Sequence, residues 1–177
     1  MIKKIFVVLG LFVASLSFAS LQVGDTLPTL CWTAIDGTKV CTDKPAHIHV
    51  LMYNAGYCGP CNQEFSEVVP KLGGLDTTGM EITSLSIAGW SAGTPADVTF
   101  LGEWKAKHSI PFTVAAANRS ELKLFDEIPG IPTTVVTDAF GKITYLSLDF
   151  TATSSDELIA HLRKSLLRAQ PEPPPEP

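Results

Sequence analysis

Tyr57-Cys58-Gly59-Pro60-Cys61 decides how this chain of 177 residues folds. In front of it stands the apolar run Ile48-His49-Val50-Leu51-Met52-Tyr53. Behind it, Phe65, Val68, Val69 and Leu72 fall at i, i+3, i+4 and i+7. The pattern predicts a buried strand, a tight Gly-Pro turn and a helix that opens with two cysteines. Unpaired N–H groups and the positive end of the macrodipole at a helix start favour an anion, so Cys58 is expected to ionise near neutral pH. Cys61, three residues on, is within reach of Cys58 and can close a small disulfide ring. A thiolate beside a resolving partner is a thiol–disulfide exchange centre. The other use of a CxxC is half of a zinc site, but zinc takes about four ligands and no second CxxC follows.

Composition bounds the rest. With 45% hydrophobic and 18% charged residues the chain is ordinary globular material, enough for one domain with a proper core. The net charge is −5, and no Lys/Arg stripe exists to neutralise phosphates, which excludes a nucleic-acid binder. Met1 to Ala19 reads as a secretory signal: Lys3 and Lys4, an apolar run from Ile5 to Ala14, then Ser17-Phe18-Ala19 as the cleavage site. An uncleaved anchor is the rival, but the run is short against the ~20 residues of a spanning helix. A periplasmic or secreted location is therefore expected, where disulfides persist. The folded domain is expected over 20–169, followed by a disordered Pro/Glu tail over 170–177.

Cys31-Trp32-Thr33-Ala34, Ile35-Asp36-Gly37 and Thr38-Lys39-Val40-Cys41 read as a hairpin. A three-residue loop with Gly37 left-handed pairs Ala34 with Thr38 and brings Cys31 opposite Cys41, in register for a disulfide. A two-residue Asp-Gly turn would stagger the cysteines and aim them at opposite faces. The expected role is a structural staple; a second redox pair is the alternative, although no helix start activates either thiol. His47 and His49 share one side of the following strand with nothing nearby to complete a metal site, and a solvated approach to that strand is expected.

Further on, Ile82–Ile87 alternates like a strand. Thr94-Pro95-Ala96-Asp97 reads as a helix start with Pro at the first helical position, and Val98, Leu101 and Trp104 as its apolar stripe. Trp90 fits either the surface near the cysteines or a cover over the core. Pro111–Val114 and Glu121–Ile128 read as a short strand and helix, capped at Asn118-Arg119-Ser120. In Gly130-Ile131-Pro132-Thr133-Thr134-Val135-Val136 the proline belongs at the strand's first position, because it cannot donate to the ladder. A turn at Asp138–Lys142 leads into a strand over Ile143–Leu148, and Ser154 to Glu157 forms a capping box ahead of a last amphipathic helix.

Cys58-Gly59-Pro60-Cys61 between a strand and a helix resembles the active site of thioredoxin-fold proteins. The fuller run Asn54–Phe65 resembles the extracytoplasmic TlpA/ResA-like branch, and Val23-Gly24-Asp25-Thr26-Leu27-Pro28 resembles the opening of the redoxin and TlpA-like families. The resemblance spans Leu21 to Leu167 and implies an α/β, thioredoxin-like fold: a mixed central sheet with helices on both faces and an N-terminal β-hairpin extension. It implies a cis Pro132 beside the cysteines, with Ile131 supplying backbone groups to an extended substrate and Tyr57, Gly59 and Pro60 lining the same surface. Glu64 is read from its position as either a proton acceptor for Cys61 or a plain first-turn acid. The resemblance favours the acceptor, since those proteins carry a glutamate three residues after the second cysteine. Tyr57 departs from the Trp usual there. The Cys31/Cys41 pair lies outside the family pattern.

The function this implies is protein thiol–disulfide oxidoreductase, with Cys58 attacking and Cys61 resolving. Gly-Pro between the cysteines and the TlpA/ResA-like context suggest a monomeric reductant of protein disulfides, such as apocytochrome c CxxC pairs, recharged by a membrane thiol–disulfide carrier. No cofactor and no metal are expected. An oxidase or isomerase would use the same residues. A peroxiredoxin-like peroxidase is disfavoured because those families place Thr where Ala55 stands. A copper or zinc chaperone using His47, His49 or His108 is disfavoured because copper-delivery relatives use a wider CxxxC.

Overall fold

The computed structural model describes residues 20–44, 47–128, 130–151 and 153–169. The signal sequence and the Pro/Glu tail expected at the two ends lie outside these residues. Among the described residues, seven strands and three α-helices follow one another as β1 (Cys31–Thr33), β2 (Lys39–Cys41), β3 (Ile48–Asn54), α1 (Gly59–Leu72), β4 (Met80–Ser86), α2 (Val98–Lys107), β5 (Thr113–Ala116), β6 (Thr133–Thr137), β7 (Ile143–Ser147) and α3 (Ser154–Ala169). A 3-10 helix, Arg119–Leu124, stands between β5 and β6. None of the described helices is long and apolar enough to cross a membrane.

The central sheet runs β5-β4-β3-β6-β7, with β3, β4 and β5 parallel and β6 and β7 antiparallel to their neighbours. Being central, β3 is buried along its whole length. That overturns the solvated setting expected for His49: it is 2% exposed, and its backbone N–H donates to Thr137 Oγ1 at 3.2 Å. Helices lie on both faces, unequally. All three α-helices pack on one face, where Phe65, Val68, Trp104 and Leu162 meet Val50, Met52 and Val136. The hairpin and the 3-10 helix cover the other, where Trp32, Leu122 and Phe125 meet Leu51, Tyr53 and Val135.

The hairpin has the register expected from a three-residue loop, Cys31 opposite Cys41, Trp32 opposite Val40 and Thr33 opposite Lys39. Gly37 takes φ 83°, and its N–H donates to the Ala34 carbonyl at 2.9 Å. Cys31 and Cys41 are disulfide-bonded. Glu121 ties this layer together, accepting from the Trp32 indole at 2.9 Å and the Tyr53 hydroxyl at 3.1 Å. The same residue completes a capping box with Asn118.

Three local expectations fail. Helix α2 starts at Val98 with Asp97 as its cap, because the Thr94 hydroxyl is spent closing a turn onto the Ser91 carbonyl at 2.7 Å. Val98 is consequently 65% exposed, and Phe100 takes the inward place expected for it. The helix expected over Glu121–Ile128 is the 3-10 turn ending at Leu124. At α3, the Ser154 hydroxyl accepts from the Thr151 N–H at 2.8 Å rather than capping from outside the helix.

Candidate active site

Strand β3 delivers the chain to the cysteines. At its end Asn54 is fully buried, donating to Ser84 Oγ at 2.9 Å and accepting from Ser86 Oγ at 2.8 Å. These bonds fix the ends of β3 and β4 side by side where the loop begins. Gly56 then passes close under α2 and the Trp90 loop. A Cβ there would lie 2.8 Å from the Gly89 carbonyl oxygen and 2.7 Å from the Phe100 ring, so only glycine fits without displacement.

Cys58 is the N-cap of α1, with extended backbone at φ −80° and ψ 106°. Its sulfur accepts the Cys61 N–H at 3.1 Å, using one of the donors that a helix start leaves unpaired. Pro60 lies in the first turn, where its missing N–H costs nothing. The two cysteines are disulfide-bonded; Cys61 is fully buried and Cys58 is 7% exposed. Gly59 has open space around a built Cβ, so neither room nor conformation demands glycine there.

The antiparallel register that sets Tyr53 opposite Thr133 brings the turn before β6 against the same loop. The Ile131–Pro132 bond is cis, and the Cys58 sulfur lies 3.7 Å from the Ile131 carbonyl oxygen. Tyr57 and Trp90 are half-exposed beside it. The Trp90 ring packs edge-on to Phe100 at 5.0 Å and within 2.8 Å of a Cβ built on Gly56. Trp90 thus covers the aromatic cluster with one part of its ring and is exposed with the rest, next to Gly56.

Glu64 follows Cys61 by one helical turn, on the buried face of α1. It is 4% exposed, accepts from Thr134 Oγ1 at 2.7 Å, and its other oxygen is buried without a partner. Burial pushes its carboxyl from 4.5 up to about 7, opposed by the Thr134 hydroxyl. Between those values the folded protein holds a proton that the unfolded chain has released. Stability is therefore lost as pH rises through that window, by roughly 1 kcal/mol per unit. Glu64→Gln removes this slope. Burial holds the His49 ring below its usual value and so adds its own pH dependence to stability; the measure is therefore the difference between wild-type and variant denaturation curves from pH 4.5 to 7. Parallel profiles would show that Glu64 does not hold the proton.

Sequence reasoning misses Thr134, although a pair of threonines directly after Pro132, in a strand that goes on with two valines, is a usable signal. Asn62, which touches the loop carbonyls, gave none. The cysteines, Glu64, Ile131 and Pro132 come together, with Tyr57, Gly59 and Pro60 around them. Cys31 and Cys41 do not join them. Val40 and Cys41 share a shallow cavity with Lys44 and Glu81, at the opposite end of the sheet from the end of β3.

No protein-family model matches the sequence, and no curated protein matches it. Solved structures do. A Chlorobium tepidum protein assigned as the thiol:disulfide interchange protein DsbE is 22% identical, with a TM-score of 0.68 over 83% of this chain and 99% of that one. The thioredoxin domain of a Bacteroides vulgatus thiol-disulfide oxidoreductase is 17% identical, with a TM-score of 0.63 over 82% and 98%. A secreted Mycobacterium tuberculosis disulfide oxidoreductase homologous to E. coli DsbE is 19% identical, with a TM-score of 0.59 over 76% and 95%. The chain has the thioredoxin fold. In this thioredoxin-fold protein the cysteine pair sits where β3 hands over to α1. A helix start, a neighbouring sulfur and a buried carboxyl are the parts that thiol–disulfide chemistry needs.

Proposed function

We propose that this protein is an extracytoplasmic thiol–disulfide oxidoreductase that reduces protein disulfides through Cys58 and Cys61. The observation that carries the reading is Cys58 as N-cap of α1, its sulfur bonded to Cys61 and facing the Ile131 carbonyl. In the reduced protein, the Cys58 thiolate attacks one sulfur of a substrate disulfide and expels the other as a thiolate. A mixed disulfide results, with the substrate chain beside Ile131 and Pro132. Cys61 gives its proton to Glu64 and attacks the Cys58 sulfur, releasing the reduced substrate and leaving the pair oxidised. Two electrons leave the protein per cycle, so a membrane thiol–disulfide carrier must return them.

The family resemblance makes CxxC pairs of apocytochrome c the first substrate class to try. Cys31–Cys41 serves as a staple for the hairpin, since no helix start lowers either thiol and it lies away from the active pair. The test is the reduction potential of the Cys58–Cys61 couple, read by equilibration with glutathione, together with reduction of an oxidised CxxC peptide by the pre-reduced protein. A potential well below that of the glutathione pool and stoichiometric reduction of the peptide are expected. A value near the −120 mV typical of strong oxidants would reverse the direction of the reaction (about −120 mV for DsbA).

A further inference from the structure

We propose that Lys107 sets the acidity of the Cys58 thiol through the side chain of Asn62, which makes both positioning residues for the exchange reaction. This rests on Cys58 being the attacking thiol. The Asn62 amide donates to the Gly56 carbonyl at 3.2 Å and to the Cys58 carbonyl at 2.8 Å. The Asn62 backbone N–H donates to that same Cys58 carbonyl at 3.1 Å. One side chain thus covers the negative ends of two peptide dipoles flanking the Tyr57–Cys58 segment. Its own oxygen accepts from the Lys107 ammonium at 2.7 Å.

Lys107 is held for that task. Its ammonium stands 4.9 Å from the centroid of the Trp90 ring, whose indole N–H donates to Glu103 at 2.7 Å. Glu103 therefore takes the ring edge and leaves the ring face to the cation. The ammonium polarises the Asn62 amide, whose hydrogens then draw more charge from the two carbonyls. A full positive charge ends up two hydrogen bonds from the residue that must carry a thiolate. The other titratable groups around this network are Tyr57 beside Cys58, Cys61 and Glu64 on α1, Glu103 on α2 and His108 at its C-cap. The turn before β6 brings the Ile131 carbonyl, and β6 the Thr134 hydroxyl.

The experiment follows alkylation of Cys58 in the reduced protein against pH, at low and high salt. In Lys107→Met the midpoint moves up, and the thiolate fraction below it falls about threefold, the size expected for an exposed charge at this remove. The difference shrinks with salt because the ammonium is solvent-exposed. Lys107→Arg keeps the wild-type profile. A Lys107→Met profile that superimposes on wild type at low salt, or an Arg variant shifted as far as Met, overturns the proposal. The wild-type midpoint decides a separate matter: a value near the ordinary thiol range of about 8.5 counts against the exchange reading itself.

Discussion

Cys58→Ser reduces disulfide exchange to the uncatalysed background, while Cys61→Ser accumulates substrate covalently bound through Cys58. The asymmetry follows from position. Cys58 caps α1 and is the one residue of the pair with any exposed surface; Cys61 is fully enclosed. Without Cys58 no nucleophile meets the substrate. Without Cys61 the first attack still proceeds, but no neighbouring sulfur is left to break the mixed disulfide. Incubation of each variant with an oxidised CxxC peptide, followed by mass spectrometry under non-reducing conditions, reads the result directly. Adducts of equal yield on both variants would mean that the two sulfurs are interchangeable, and the assignment of attacker and resolver would fall.

Glu64→Gln slows the second step, release of the mixed disulfide, by about 10²-fold, the low end of what a positioned proton acceptor contributes. Below about 7 the wild-type carboxyl is protonated and cannot take the Cys61 proton; above it, the carboxylate can. The wild-type release rate therefore rises through that region. The glutamine variant loses the rise. Single-turnover release of a labelled peptide, measured from pH 5 to pH 9, separates the two profiles. An unchanged pH dependence would leave Glu64 a buried acid without a part in the reaction. Formation of the mixed disulfide serves as internal control, since it depends on Cys58.

What the sequence made legible was the part governed by local rules. The helix after Cys61 buries the four predicted apolar residues because a 3.6-residue period puts them on one face. The hairpin register followed from the loop length and from Gly37. Pro132, expected at the first strand position because of its missing donor, stands one residue ahead of β6, which begins at Thr133. The misses have a common physical origin in contacts between residues far apart in the chain. His49 looked solvated because it stands at the entry to its strand, yet β3 is the middle strand of the sheet, with β4 and β6 on either side, and His49 is buried. Thr134 meets Glu64 only once β6 lies beside β3, and Lys107 meets Asn62 only once α2 lies beside α1. At α2 the propensity rules were sound but two caps competed, and Asp97 won because Thr94 had a nearer partner.

Both cross-links of this molecule join near neighbours, one with a sequence separation of 10 and the other of 3. Four cysteines admit three pairings, and in an unfolded chain the pairing found here closes the two shortest rings. Either mispairing would have to close two longer loops, so chain connectivity by itself favours the native pairs.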